Sequence, residues 1–178
     1  MSFLSALNEA NMTILSIVQY PDKRLSSPTT EVAFFDEALQ RDIDDMIETH
    51  YAQTNCAALA ANQLGLDRRI TVIDFSEKKD ELLILVNPYI THKEGETFQP
   101  EGCMSVNGIY EKVKRAEKIS VDYQSREGEK RTLTADGFLA KCIQHEIDHL
   151  DGLVFIDRLS TTKKKLIHPK ITKLLRAK

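Results

Sequence analysis

Hydrophobic side chains recur at helical spacing in three parts of the chain. The first predicted helix covers residues 36–52, where apolar side chains fall on one stripe and acidic side chains lie elsewhere. Asp136 is the expected N-cap of a second helix, predicted over 137–150 and ended by Asp151-Gly152. A third, basic helix is predicted near the end of the chain, where Pro169 is expected to interrupt it.

Segments with strand character lie mostly between the first two predicted helices. They are rich in β-branched residues or alternate between apolar and polar positions, which is typical of strands. The predicted strands are 70–75, 82–86 (closed by Asn87-Pro88), 97–99, 109–113, 118–123 and 130–134, and 154–156 is also strand-like. Because the strands are grouped, we predict an α+β fold: antiparallel sheets packed around the helix 137–150, with an N-terminal helix and a C-terminal basic helix.

The length of 178 residues suits one compact domain that can bury its own core. Residues 1–12 are expected to form an N-terminal extension, 13–160 the main domain and 161–178 a basic helical tail. No apolar run approaches the roughly 18–20 residues that span a bilayer. No basic residue precedes Lys23, which argues against a signal or transit peptide. We therefore expect a cytoplasmic protein.

Charge is nearly balanced overall, with 27 acidic and 24 basic side chains and a net charge of −3. This balance implies no general attraction to nucleic acid. Residues 161–178, however, contain basic and no acidic side chains, as in a solvated helix face or a surface that contacts phosphate groups. The three cysteines (Cys56, Cys103 and Cys142) are an odd number, so a disulfide framework is not expected and metal binding or catalysis is considered for each.

The most informative motif is His145-Glu146-Ile147-Asp148-His149, within the second predicted helix. Side chains four residues apart lie one above the other on the same helix face. Both imidazoles can therefore bind one divalent metal ion, while Glu146 lies within reach of a metal-bound water. The alternative is a solvated polar face with two histidines, which the apolar neighbours of the motif make a poor fit.

Two histidines make an incomplete site, because catalytic metals usually take three protein ligands. The third ligand can be another histidine, a carboxylate or a cysteine. Cys103 lies in the segment Glu101-Gly102-Cys103-Met104-Ser105, where Gly102 allows a substrate backbone to approach closely. Taken alone, a cysteine such as Cys103 is more often a small buried hydrophobic residue than a metal ligand. The remaining histidines, His50, His92 and His168, are expected on the surface or on helix faces.

Three segments together resemble the peptide deformylases, the metal amidases that remove the formyl group from the N-terminal methionine of new polypeptides. They are Gln63 in Ala60-Ala61-Asn62-Gln63, the Glu-Gly-Cys-Met-Ser segment and the His-Glu-Ile-Asp-His helix, in the family's order and at similar spacing. The likeness covers residues 14–159. It also makes a general zinc peptidase with the same helix motif a weaker alternative.

The resemblance implies a role for each motif residue. Cys103, His145 and His149 would bind the metal, and Glu146 would act as general base and then as general acid. The side-chain amide of Gln63 and the backbone N–H of Met104 would donate to the developing oxyanion.

The resemblance also implies a cofactor and partners. The cofactor would be one divalent ion, Fe²⁺ with Zn²⁺ or Ni²⁺ as substitutes. The partners would be N-formylated nascent chains, with the basic tail in contact with the ribosome.

The first motif departs from the family pattern Gly-x-Gly-Leu-Ala-Ala-x-Gln, because Cys56 and Ala58 replace the two glycines. If the first glycine has a positive φ, Cys56 must be strained or the loop reshaped. The Cβ of Ala58 is expected to crowd the groove that binds an extended substrate. Ala57, between them, replaces a larger aliphatic residue of the methionine pocket.

A second departure concerns the helix that carries the histidines. By resemblance, Phe138, Lys141 and Cys142 would line the methionine pocket, and Lys141 replaces an aliphatic residue. Lys141 either extends out of the pocket into water or gives the pocket a positive rim. Two alternatives to a deformylase follow: a related amidase with a different N-acyl substrate, and a metal-binding paralogue without turnover.

Overall fold

The computed structural model describes residues 13–176, which form three α-helices, seven β-strands and short 3-10 helices. The helices are α1 (Glu37–Ala52), α2 (Gly137–Leu150) and α3 (Thr161–Arg176). The strands are β1 (Ala58–Ala60), β2 (Ile70–Ile73), β3 (Leu83–Glu94), β4 (Thr97–Glu101), β5 (Glu111–Arg115), β6 (Lys118–Gln124) and β7 (Lys130–Asp136). Within this part of the chain, no helix is long and apolar enough to cross a bilayer.

All strand pairs are antiparallel. Five strands form one sheet in the order β1-β2-β3-β6-β7, and β4 pairs with β5 in a separate two-stranded sheet. The predicted α+β class is therefore confirmed. In the five-stranded sheet β1 and β7 occupy the two edges.

Helices α1 and α2 cover opposite faces of the five-stranded sheet. Ile70 and Val72 of β2 belong to the core cluster that contains α1 side chains, whereas Ile73 belongs to the cluster that contains α2 side chains. Because successive side chains of a strand point to opposite faces, α1 lies on one face and α2 on the other. A third cluster joins α3 to the loop around Val106 and to Phe155.

The predicted helix starts agree with the structure, although only one of the two N-cap side chains makes a capping hydrogen bond. Asp36 lies at the N-cap of α1, and its carboxylate accepts a hydrogen bond from the Leu39 N–H at 2.9 Å. Asp136 lies at the N-cap of α2 in an extended conformation, but its side chain makes no capping bond.

The prediction that Asn87-Pro88 closes the second strand was wrong. β3 continues to Glu94, with a shift in its register to β6 between Val86 and Tyr89. Asn87 adopts a φ of 50°, which asparagine tolerates, and its side chain exchanges hydrogen bonds with the backbone of Val32 at 2.8 and 2.9 Å. The irregularity thus accommodates the proline without ending the strand.

The strand expected at 154–156 was also wrong, because Phe155–Arg158 is a 3-10 helix. The Asp157 carboxylate accepts a hydrogen bond from the Val154 N–H at 2.9 Å, and the Asp157 N–H donates to the Val154 carbonyl at 2.8 Å. These two local bonds close a turn and outweigh the β-propensity of the apolar residues.

The proline in the C-terminal helix does not interrupt it. α3 runs through Pro169, which lies between Ile167 and Ile171. Ile167 is buried in the core cluster and Ile171 packs against it, so apolar packing on both sides offsets the missing backbone donor. The extension expected at 1–12 lies outside the described residues.

Candidate metal centre

Helix α2 presents both motif histidines to one buried site. From Cys142 to Leu150 every side chain of the helix is buried. The rings of His145 and His149 lie one turn apart, with their centroids separated by 5.0 Å. Four of its buried polar side chains contact a polar partner in the interior: Gln144, His145, Asp148 and His149.

The thiol of Cys103 lies beside the histidine pair. Its Sγ atom is 3.2 Å from His149 Nε2, and one ligand atom from each of Cys103, His145 and His149 lies within 4.8 Å of the others. A tetrahedral zinc ion with ordinary Zn–S and Zn–N bonds needs ligand atoms roughly 3.3–3.8 Å apart. The three side chains therefore fit a single divalent ion.

Two N–H groups point at the Cys103 sulfur. The Ser105 backbone N–H lies 3.4 Å from Sγ, and the Gln63 side-chain amide nitrogen lies 3.5 Å from it. Hydrogen bonds of this kind favour the thiolate, which is the form that binds a metal. The short turn closed by the Val106 N–H to the Cys103 carbonyl, at 3.0 Å, holds the residue in place.

The orientation of His145 is set by a buried carboxylate. Its Nδ1 atom lies 2.8 Å from Glu101 Oε2, so Nδ1–H donates and Nε2 keeps a lone pair for a metal. Burial alone would lower the pKa of His145, but hydrogen bonds and charge from Cys103 and Glu101 raise it well above the usual range. The site thus attracts positive charge.

Glu101 is in turn held by Arg115, which donates to both carboxylate oxygens at 2.8 and 2.9 Å. Arg115 also donates to Asp148 at 2.6 Å, and Arg158 donates to the same Asp148. Although burial would raise the pKa of Glu101, the bonds from Arg115 and His145 lower it to about 2. The carboxylate therefore stays ionised and ready to accept from the imidazole.

His149 occupies the deepest position of the site, with 0% of its surface exposed. Burial lowers its pKa well below the usual range, so the ring is neutral, as metal binding requires. Its Nε2 faces Cys103, and its Nδ1 has no hydrogen-bond partner among the described residues.

Glu146 supplies a buried carboxyl group to the site. Its side chain is 3% exposed, and its Oε2 is a buried oxygen without a hydrogen bond in the described part of the chain. Burial raises its pKa to about 7 against the opposing charge of His145. A carboxyl group that titrates near neutrality suits proton transfer, and an unpartnered oxygen suits a water or substrate atom.

Gln63 lies in the 3-10 helix Ala61–Leu64, directly after β1. Its Oε1 accepts from the Ala60 N–H at 2.9 Å, which turns its Nε2 towards Ser105 Oγ at 3.1 Å and the Cys103 sulfur. The amide donor is therefore fixed at the edge of the metal centre.

Apart from His149, which lies beneath it, the predicted site residues line one cavity of about 320 Å³. Its walls include Gln63, Met104 and Glu146 together with the five residues predicted to bind substrate. Those five are Ala58, Gly102, Phe138, Lys141 and Cys142. A larger cavity of about 540 Å³ lies beyond Asp148 and includes neither Cys103 nor His145 in its lining.

The altered first motif is accommodated without strain at Cys56. Asn55, one residue earlier, has the positive φ of 58°, and Cys56 is not among the residues with positive φ. The Cys56 thiol donates to the Ala58 carbonyl at 3.3 Å. Burial raises the pKa of this thiol to about 12, so it is not a reactive nucleophile at neutral pH.

Sequence reasoning missed several residues of the site. Tyr110 lines the cavity, and a Cβ added at Gly102 would lie 2.4 Å from its ring. Arg115 and Asp148 support Glu101 although neither belongs to the ligand set. Of these residues, only Asp148 could have been noticed in the sequence, because it is a carboxylate in a helix segment with apolar neighbours.

His50, expected on a surface or helix face, is buried, and its Nε2 lies 3.1 Å from the Asp74 carbonyl.

A thiol and two imidazoles around one point, beside a buried carboxyl group, are the kind of side chains that metal-dependent hydrolases use as ligands and base. The family model described as polypeptide deformylase matches residues 14–165. Among curated proteins, the chain is 54% identical over 166 residues to peptide deformylase 1 of Coxiella burnetii, covering 92% of this chain and 98% of that protein. It is 50% identical over 162 residues to the peptide deformylase of Chromobacterium violaceum, covering 91% and 96%.

Comparison with solved structures leads to the same family. The crystal structure of a peptide deformylase from Legionella pneumophila superposes with a TM-score of 0.86 and 42% identity, covering 93% of this chain and 97% of that chain. The chain belongs to the polypeptide deformylase family, as the motifs predicted.

Proposed function

We propose that this chain removes the formyl group from the N-terminal methionine of nascent polypeptides, with one divalent metal ion bound by Cys103, His145 and His149. The observation that carries the proposal is the convergence of these three donors beside the unpartnered carboxyl oxygen of Glu146. Membership of a family of hydrolases that act on linear amides supports the reaction.

A bound divalent ion supplies Lewis-acid chemistry, lowering the pKa of water and polarising a carbonyl oxygen. One thiolate and two imidazoles suit Fe²⁺ or Zn²⁺, and we propose Fe²⁺ as the working ion, with Zn²⁺ or Ni²⁺ as substitutes. Glu101 keeps His145 in the tautomer that binds through Nε2, as the 2.8 Å contact to Nδ1 requires.

We assign the proton transfers to Glu146. Water is a poor nucleophile at neutral pH, and a formamide releases a poor leaving amine. Glu146 takes the proton from the attacking water and delivers it to the amine nitrogen as the C–N bond breaks. Its burial supports this role, because burial raises the pKa of the carboxyl group to about 7.

Gln63 and Met104 are proposed to stabilise the oxyanion that develops on the formyl oxygen. The bond from the Ala60 N–H to Gln63 Oε1 orients the amide, so its N–H groups face the Cys103 side of the cavity. The Met104 backbone belongs to the same cavity wall as Cys103.

The substrate is proposed to bind as an extended chain between β1 and Gly102. β1 is an edge strand of the sheet, and both Ala58 and Gly102 line the cavity. An extended peptide can pair with such an edge through its backbone. Its methionine side chain would then contact Cys142 on α2, with Phe138 at the outer end of the cavity.

We propose residues 13–160 as the catalytic domain, 1–12 as an extension and 161–178 as a tail that contacts the ribosome in the cytoplasm. α3 supports this because Ile167 faces the core while Lys164, Lys165, Lys170 and Lys173 are exposed. Exposed cations suit contact with phosphate groups. Salt-sensitive co-sedimentation with ribosomes tests the contact, and absence of binding at low salt contradicts it.

The decisive experiment measures turnover of a formyl-Met tripeptide after anaerobic purification, with metal content determined on the same sample. The wild type should hydrolyse the peptide with about one metal ion per chain. Glu146→Gln should keep the metal and lose about 10²–10⁴ in rate. Equal inertness of both proteins would instead support a metal-binding paralogue. Turnover of another N-acyl peptide alone would support a different amidase.

A further inference from the structure

One ammonium group on the wall of the active-site cavity has no carboxylate partner among the described residues. Lys141 Nζ donates to the Pro100 carbonyl at 3.2 Å and lies 4.7 Å from the centre of the Phe138 ring. Elsewhere on the surface, Lys114 and Lys163 each pair with a glutamate. A carbonyl and an aromatic ring hold the Lys141 ammonium in place but leave its charge uncompensated.

The position of Lys141 on α2 places it at the outer end of the cavity. It precedes His145 by four residues, which corresponds to a helix rise of about 6 Å. An extended peptide advances about 3.3 Å per residue, so this rise corresponds to about two peptide residues. Phe138, one turn further out, is 48% exposed, which identifies this end of the cavity as its mouth.

The carboxylates that line the same cavity do not cancel this charge at the mouth. Glu101 is neutralised by Arg115 through two hydrogen bonds. Glu146 follows His145 directly and is 3% exposed, so it belongs to the inner end. Asn55, Asn107 and Tyr110 also line the cavity and carry no charge.

We propose that Lys141 makes this chain favour formylated peptides with an acidic side chain at the first or second position after the formylated residue. The proposal rests on the deformylase function proposed above and adds a charge selectivity to it. A substrate carboxylate pairs with the ammonium at the mouth, and a substrate lysine is repelled. Because the pair is partly exposed, we expect a rate preference of about two- to fivefold.

The test compares formyl-Met-X-Ala-Ala and formyl-Met-Ala-X-Ala amides, with X as Glu, Gln or Lys. The ratio of kcat/KM for Glu over Lys should be about two- to fivefold in the wild type at low salt and fall at high salt. Lys141→Met keeps the aliphatic contact with Phe138 and should bring the ratio near one. Lys141→Glu should reverse it.

Lys79 offers a matched control. Its Nζ donates to the Tyr51 carbonyl at 3.3 Å and lies 5.6 Å from that ring, in a neighbouring cavity of about 290 Å³. Lys79→Met removes a cation in the same kind of contact and should leave the Glu-over-Lys ratio unchanged. A wild-type ratio near one, a ratio unchanged in Lys141→Met, or a ratio lost in Lys79→Met overturns the proposal.

A binding measurement separates this proposal from the proposed function. The N-acetyl forms of the same peptides are titrated into zinc-loaded wild type, Lys141→Met and Lys79→Met. If no formylated peptide is hydrolysed, the deformylase function fails. The dissociation constants of the Glu and Lys peptides still decide the role of Lys141. Tighter binding of the Glu peptide that is lost in Lys141→Met supports the proposal, and equal binding of both peptides to the wild type refutes it.

Discussion

Glu101 and His145 form a buried pair, with 2.8 Å between the carboxylate Oε2 and the imidazole Nδ1. The contact joins β4 to α2 across 44 residues of sequence. It fixes which imidazole nitrogen is free to bind a metal, and Arg115 keeps the carboxylate ionised by donating to both of its oxygens.

Replacement of Glu101 by glutamine should weaken metal binding by about 10- to 100-fold, because the imidazole loses its charged acceptor. Competition with a chelating dye, using zinc or cobalt, measures this affinity without reference to turnover. Glu129→Gln is the control, since Glu129 bonds to Arg131 on the surface. An affinity for Glu101→Gln equal to that of the control would remove Glu101 from the metal site.

Replacement of Gln63 by alanine should reduce kcat by about 10²–10³ while metal content stays unchanged, because one oxyanion donor is lost. Steady-state kinetics on a formyl-Met peptide with parallel metal analysis checks both parts. Gln99→Ala, at an exposed position of β4, should have wild-type kinetics. A change in KM alone would mean that Gln63 binds the substrate equally in the ground state and the transition state and is no specific oxyanion donor.

Arg115→Met should destabilise the fold by about 3–5 kcal/mol, because Glu101 and Asp148 would remain buried without their shared cation. Urea unfolding of the apoprotein measures the free energy of unfolding. Arg131→Met removes an exposed ion pair and should change it by less than about 0.5 kcal/mol. Similar small losses in both variants would show that the buried network adds little stability.

Lowering the pH should reduce the free energy of unfolding of the wild-type apoprotein more than that of the Glu101→Gln variant. The pKa of Glu101 falls from 4.5 to about 2 on folding, so its stabilisation is present above pH 4.5 and is lost as the pH falls towards 2. Two pKa units or more correspond to about 3 kcal/mol. The gap in unfolding free energy between wild type and Glu101→Gln should therefore narrow over this pH range, and a constant gap would contradict the prediction.

The Cys56 thiol should react slowly with iodoacetamide at neutral pH, because burial raises its pKa to about 12. Mass spectrometry of the Cys56 peptide over a range of pH values measures the rate, with glutathione as the free-thiol reference. Labelling should increase only at strongly alkaline pH. A rate equal to that of glutathione at neutral pH would show an exposed, ionisable thiol.

Local patterns in the sequence determined much of this protein. Helical periodicity was enough for α1 and α2, and α2 places His145 and His149 on one face wherever it lies in the fold. Family motifs named Gln63 and Cys103, and the structure brings Cys103 to His149 and Gln63 to Cys103.

The tertiary structure alone decided the rest, because those features depend on partners far away in the sequence. The edge strand β1 forms by pairing with β2, and the apolar segment 154–156 becomes part of a 3-10 turn through Asp157. The Glu101–Arg115–Asp148 network closes over separations of 14 and 33 residues, which no local pattern records. Burial strengthens these contacts, because charged side chains removed from water interact more strongly and have only each other as partners.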